Sequence, residues 1–290
     1  MAQPIPFRRI AVIGAGLIGG SFALSVRKAF RGIVTVGFDR ADAAEKARLG
    51  GAFDQVTTEF AEAVRGADLV YVALPIAAAI AALPAIAGSA DGHALVTDAC
   101  STKAVVCRIA QEHFSKGVRF LGGHPMAGKE HSGIEHADAD LFRGAPYALI
   151  ARETEGDPRV KSFAALVASI GARPVWTDAD THDWAVGIVS HLPQLVSVAL
   201  ARVVQDETDE TGLPVTLSGH GLRDTLRLAG SPYGVWRDIL LTNTENVSRA
   251  LDRLTQAIDY LRTQLASKEI EQEFSSANQL YKLLRKENRD

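Results

Sequence analysis

Arg9–Ile13 (RIAVI) is a short apolar run that leads straight into Gly14-Ala15-Gly16-Leu17-Ile18-Gly19, and an apolar-periodic stretch then continues to about Ala29. A second such run, residues 33–38, ends at Asp39, twenty residues beyond the last glycine. A bare G-x-G-x-x-G is weak, since a glycine-rich turn needs no ligand. Strand, glycine turn, helix, strand and acid in this order make the full dinucleotide fingerprint. Gly14, Gly16 and Gly19 let backbone amides, with those of Leu17 and Ile18, approach a pyrophosphate at the positive end of the helix. Asp39 is then placed to hydrogen-bond the adenosine ribose hydroxyls. A carboxylate there repels a 2'-phosphate, so NAD is favoured over NADP, although Arg40 follows directly and could offset that repulsion.

The alternation of strand and helix continues. Helices are expected over residues 42–49, over 58–65 with Thr58 as cap, and over 76–86. Strands are expected over 69–73 and 93–97. This pattern means an α/β, doubly wound parallel sheet whose ligand lies at the carboxyl ends of its strands. Leu74-Pro75 occupies one such end. Asp98-Ala99-Cys100-Ser101-Thr102-Lys103 occupies another, where Ser101 or Thr102 is expected to cap the helix that runs to Phe114. A strand over 147–151, a helix over 157–170 and a strand over 173–176 complete a Rossmann-type dinucleotide-binding domain, residues 1–178.

At 290 residues the chain is long for one core, which favours two domains. Hydrophobic residues make up 47% and charged residues 22%, the balance of a soluble globular protein. A net charge of -3, from 31 basic and 34 acidic side chains, argues against a nucleic-acid partner. The two cysteines, Cys100 and Cys107, offer neither a disulfide framework nor metal-ligand spacing, which fits a reducing cytoplasm. Residues 69–88 carry no charge, but they are mostly alanine and are divided by Pro75 and Pro84. A buried strand and an Ala-rich helix explain them better than a membrane span. Arg8 and Arg9 precede an apolar run too short for a signal peptide.

From His182 onward the strand signals vanish, and residues 179–290 are expected to form an all-α domain. One long apolar helix should kink at Ser190-His191-Leu192-Pro193-Gln194, because Pro193 cannot donate to the carbonyl of Val189. His191 beside this kink is either a satisfied core histidine or a site residue. Gly219–Gly230 (GHGLRDTLRLAG) brings Arg223 and Arg227 four apart on one helix face. Two amphipathic helices, about residues 242–267 and 270–285, finish the chain without glycine or proline. Apolar stripes of this kind commonly pair with a second copy, so a homodimer through these helices is expected.

The densest cluster of chemistry-bearing residues is Leu121–Gly133, LGGHPMAGKEHSG, with His124, Lys129, Glu130 and His131. An imidazole beside a proline suits a general base held on a rigid loop. A strand-to-loop turn with surface charges is the bland alternative.

GAGLIGGS with Asp39, TDACSTK, GGHPMAGKEHSG, SHLPQ and GLRDTLRLAGSPYGVW together make the chain similar to the prephenate and arogenate dehydrogenases of tyrosine biosynthesis, over residues 9–245. The resemblance implies a nucleotide-binding domain followed by a helical dimerisation domain. It also implies oxidative decarboxylation of a cyclohexadienol, a small-molecule substrate, to a phenol. On it, His124 matches the catalytic histidine, and Ser101 the serine that positions that histidine and the nicotinamide. Glu130 matches an active-site acid, His191 a substrate-facing histidine and Arg227 the clamp on a substrate carboxylate, with Arg223 as the alternative. Gly128 and Lys129 lie on the same substrate-side loop. Cys100 stands where the family usually has glycine and Lys129 where a small residue is common, which touches specificity more than the reaction.

Two other readings compete. A β-hydroxyacid dehydrogenase would want a catalytic lysine on the first interdomain helix, and none stands out. A non-enzymatic NAD-binding regulator has no reason to keep His124, Ser101 and Arg227 together.

Overall fold

In the computed structural model, residues 5–114, 117–129, 131–151 and 156–287 are described. The first half runs β1 (Arg9–Ile13), α1 (Leu17–Ala29), β2 (Val34–Phe38), α2 (Ala41–Gly50), β3 (Gln55–Thr57), α3 (Phe60–Val64), β4 (Leu69–Val72) and α4 (Ile76–Ser89). It continues with β5 (Leu95–Asp98), α5 (Ala104–His113), β6 (Arg119–Pro125), β7 (Pro146–Ile150), α6 (Pro158–Ser169) and β8 (Arg173–Thr177). The strands form one sheet in the order β3-β2-β1-β4-β5-β6-β7-β8.

Strands β1 to β6 are parallel, β7 is antiparallel to β6, and β8 is parallel to β7. The sheet is therefore mostly parallel, where an all-parallel one was expected. Strand order reverses between β1 and β4, and in such sheets the crevice at the reversal takes the ligand. Alternate residues of one strand feed two cores. Ile10 and Val12 pack with Phe22, Tyr71 and Tyr147 on one face, and Ala11 and Ile13 with Val70, Val72 and Ile86 on the other. Both faces are thus covered, as parallel strands require.

The second half is helical: α7 (Ala179–Val186), a π segment (Gly187–His191), α8 (Leu192–Asp206), α9 (Leu213–Thr216), α10 (His220–Leu226), α11 (Tyr233–Thr242), α12 (Thr244–Gln264) and α13 (Ile270–Glu287). The expected interruption near Pro193 takes the form of this π segment, closed by a bond from the Leu192 amide to the Gly187 carbonyl. A wider turn absorbs the donor that proline lacks. Ala179–Asp206 is long and apolar enough, by length and composition, to cross a membrane. Its polar residues His182, Asp183, His191 and Ser197 are nonetheless buried and bonded within the fold.

Carboxylates from this half cap helices of the first. Asp183 accepts from the Lys103 and Ala104 amides at the start of α5, at 2.7 and 2.8 Å. Asp238 accepts from the Ala77 amide at the start of α4, at 3.0 Å. Neither Ser101 nor Thr102 caps α5, contrary to expectation, since the helix starts later and its first amides are taken across the interface. Thr58 likewise gives way to Thr57, whose Oγ1 accepts the Glu59 amide ahead of α3. Caps of this kind stabilise a helix by roughly 0.5–2 kcal/mol each. Here they also fix how the two halves dock.

Candidate active site

In the glycine turn after β1, Gly14 and Gly19 have a steric reason and Gly16 leaves an opening. Gly14 adopts φ 103°, and a Cβ on it would fall 2.4 Å from the Ala73 carbonyl oxygen. A Cβ on Gly19 would fall 1.9 Å from the Gly14 oxygen, so the third glycine lets α1 pack against β1. Around Gly16 nothing lies within 4 Å, which leaves the approach to the backbone open. No side chain caps α1, and its first turn holds no acid, so the amides of Leu17 and Ile18 belong to a helix start that favours an anion.

Asp39 follows β2 and turns its carboxylate onto this turn, accepting from the Ala15 amide at 2.9 Å and the Arg40 amide at 2.8 Å. The Arg40 side chain is exposed. Leu74 lies against Gly14, and Pro75 is the residue before α4. An open second glycine, an uncapped helix and a fixed acid fit a dinucleotide.

His124 lies within β6, not on a loop, and its flanking glycines explain why. A Cβ at Gly122 would sit 2.7 Å from Cys107 Sγ, and one at Gly123 2.6 Å from the Asp98 carbonyl oxygen. The pair lets β6 press against β5 and α5, which carries His124 to the strand end. Behind it lies a fully buried ion pair, Lys103 with Asp98. The same ammonium donates to the Gly123 carbonyl at 2.8 Å, and the Gly123 amide donates to Asp98 at 3.1 Å. Burial pushes the Lys103 ammonium down, but the Asp98 carboxylate and the neighbouring Cys100 and Cys107 together outweigh it, so the group stays protonated. The peptide bearing His124 is therefore gripped on both sides.

The imidazole itself is buried, 8% exposed, with Nδ1 2.9 Å from His182 Nε2. His182 Nδ1 lies 2.8 Å from Asp183 Oδ1. Burial, then the neighbouring His182, Lys103 and His191, hold His124 well below its ordinary value, so it is neutral at physiological pH. Ser101 is half-buried between β5 and α5, and its hydroxyl makes no hydrogen bond among the described residues. Cys100 is buried, and burial raises its thiol well above the usual range.

On the helical side, His191 is also buried, its Nδ1 3.1 Å from the Asn243 amide nitrogen and its ring edge-on to Trp236. Burial pushes it down to about 4. Arg223 and Arg227 are exposed on and just after α10. Ser197 of α8 pins that segment, donating to the Thr225 carbonyl at 2.8 Å and accepting from the Ala229 amide at 3.0 Å. Gly128 is exposed, and Lys129 turns to the His136 carbonyl and the Asp138 carboxylate. Glu130 lies outside the described residues.

Sequence reading assigned no role to His182, Asp183, Lys103, Asp98 or Asn243, although Asp98 and Lys103 lie in the strand-end motif TDACSTK. For His182 and Asp183 the signal is polar side chains opening an apolar helix, which becomes meaningful once the fold buries them. Gln194 joins them: it is 3% exposed, one turn beyond His191, and its Oε1 has no partner among the described residues. Those residues hold no His, Cys, Asp and Glu group able to bind a metal.

Such a site can take a proton from a hydroxyl at an imidazole while a bound nucleotide takes the hydride. That defines the class: a two-domain, nicotinamide nucleotide-dependent dehydrogenase.

Comparison with known proteins narrows it. The family description "Prephenate dehydrogenase, nucleotide-binding domain" matches residues 22–176, and "Prephenate dehydrogenase, dimerization domain" matches residues 178–285. A prephenate dehydrogenase of Bacillus subtilis is 32% identical over 91% of this chain and 72% of its own. A cyclohexadienyl dehydrogenase of Zymomonas mobilis is 30% identical over 91% and 90%. The crystal structure of prephenate dehydrogenase from A. aeolicus, in complex with hydroxyphenyl propionate and NAD+, superposes with a TM-score of 0.87 at 27% identity, covering 98% of this chain and 99% of that one. The chain belongs to the prephenate dehydrogenase family. The resemblance read from the motifs is thereby borne out.

Proposed function

We propose that this dehydrogenase oxidises and decarboxylates prephenate, arogenate or both, using NAD. The observation that carries the reading is a buried, neutral His124 at the end of β6, gripped by the Lys103–Asp98 pair where the helical half docks. NAD, when bound, supplies the hydride acceptor. Gly14, Gly16, Gly19 and the Leu17 and Ile18 amides would hold its pyrophosphate, with Leu74, Pro75 and Ser101 nearby. Asp39 would take the ribose hydroxyls, and its negative charge favours NAD over NADP.

His124 accepts the proton of the ring hydroxyl as that carbon gives up its hydride. The carboxylate on the ring then leaves as carbon dioxide, because its loss makes the ring aromatic. A neutral imidazole is required for this, and burial maintains it. Arg227 would clamp a substrate carboxylate, with Arg223 as the alternative. His191 would bound the pocket, with Glu130, Gly128 and Lys129 on the loop after β6, although Lys129 shares its charge with Asp138.

Residues 1–178 would act as the nucleotide domain and 179–290 as the substrate and dimerisation domain. Support for a homodimer through the C-terminal helices comes from α13, in which no described side chain is buried. Its Phe274, Leu280, Tyr281, Leu283 and Leu284 are all more than half exposed. An isolated helix of this length is marginal in water, so a second copy is the natural cover. Free Cys100 and Cys107 fit a cytoplasmic location. NADH absorbance with prephenate and with arogenate, alongside released carbon dioxide, tests the reading. Equal amounts of the two products support it, and NADH without carbon dioxide overturns it.

A further inference from the structure

We infer that Asp183 and His182 set the tautomer of His124, so that its free lone pair lies on Nε2 and faces the substrate hydroxyl. The inference rests on the reading of His124 as proton acceptor. It starts from the carboxylate of Asp183. Oδ1 takes the Lys103 amide at 2.7 Å, and Oδ2 takes the Ala104 amide at 2.8 Å. With a backbone N–H donating to each of its two oxygens, the carboxylate serves this helix start as an acceptor.

His182 Nδ1, 2.8 Å from Oδ1, must then carry a hydrogen. In a neutral His182 that leaves Nε2 bare, and Nε2 is the atom 2.9 Å from His124 Nδ1. His124 Nδ1 must therefore be the donor, which puts its lone pair on Nε2. Donation runs one way, His124 to His182 to Asp183. His124 Nε2 itself makes no hydrogen bond among the described residues.

When the hydroxyl proton arrives, its O–H bond breaks and an N–H bond forms at Nε2. The histidine pair becomes a cation, with the Asp183 carboxylate at its far end. Lys103 and Asp98 face His124 from behind and offset each other, while His191 is neutral. Asp183 is thus the net negative charge available to the pair. His182 and Asp183 touch no reacting atom. They are positioning residues, acting as the carboxylate does behind a catalytic histidine in hydrolases.

An added proton from solvent has the opposite consequence. Whichever ring carries it, His124 Nε2 bears hydrogen and no acceptor remains. Acid inactivation should therefore follow the pair and not His124 alone.

The test uses full-length protein with 15N-labelled histidine, without substrate. Ring-nitrogen spectra near neutral pH should show His124 protonated at Nδ1 and bare at Nε2. His182→Phe should release that preference, lower kcat by about 10²-fold and move the acidic limb of the pH profile. His182→Gln should restore most of the activity, since its carbonyl can accept from His124 and its amide can donate to Asp183. Both variants leave the Asp183 cap on α5 in place. A wild-type spectrum with hydrogen on His124 Nε2 overturns the inference, as does a Phe variant with unchanged kcat and pH profile. The spectrum needs no turnover. The predicted tautomer in a protein that oxidises neither prephenate nor arogenate would support the lock and overturn the function instead.

Discussion

His191→Gln should make the fold less sensitive to acid. His191 is 1% exposed, and burial holds it at about 4. In the unfolded chain the same imidazole titrates near its ordinary value of about 6.5. The unfolded state therefore binds the extra proton first, and stability is lost as pH falls through about 6.5 toward 4. At pH 5 the difference between those two values amounts to roughly 2 kcal/mol, about a thirtyfold change in the unfolding constant. At pH 7 it is close to zero. Gln does not titrate, and its carbonyl can still accept from Asn243. The assay is urea unfolding of wild type and variant near pH 7 and pH 5, at one protein concentration. Carboxylates away from His191 contribute equally to both proteins, so the double difference reads His191 together with its coupling to His124. The variant should lose about 2 kcal/mol less than wild type between the two pH values. Identical losses would refute the claim that burial of this imidazole resists its charging.

Asp39→Ser should narrow or reverse the NAD preference in kcat/KM, because the repulsion against a 2'-phosphate disappears; a wild type that already prefers NADP would assign the choice to Arg40. Arg227→Lys should raise KM for prephenate about fivefold while kcat stays within twofold, a modest effect because the arginine is exposed in the single chain. Unchanged KM would move the clamp to Arg223. Phe274→Glu combined with Tyr281→Glu should turn a dimer into a monomer by light scattering, and a monomeric wild type would remove the dimer claim.

Local pattern carried the fold a long way. Arg9–Ile13 was readable to the residue because an apolar run stops at a glycine turn. The helices α12 and α13 were readable because nothing breaks their period. Gln55–Thr57 was too short to leave a pattern, and the antiparallel pairing of β7 has no local signature. The site was legible in its motifs but not in its wiring. His124 read as a loop residue because Gly122 and Gly123 look like a turn. Their actual use is to let β6 press on Cys107 and Asp98. His182 and Asp183 read as the start of a helix. Their partners, His124, Lys103 and Ala104, lie 58 to 80 positions away. No spacing rule reaches that far.

From the sequence, Lys129 and the nicotinamide charge disfavour protonation of His124, so its pKa is expected not to lie far above the ordinary value of about 6.5. The structure ties Lys129 to Asp138 and buries the imidazole beside His182 and Lys103 instead, which carries it well below.

The central claim is that His124 takes the hydroxyl proton, and steady-state kinetics of His124→Asn with prephenate and NAD across about pH 5 to 9 test it most directly. The account predicts a kcat lower by about 10²- to 10⁴-fold, with KM for prephenate and NAD little changed and the acidic limb gone. An Asn variant that keeps wild-type kcat, or the same acidic limb, would contradict it.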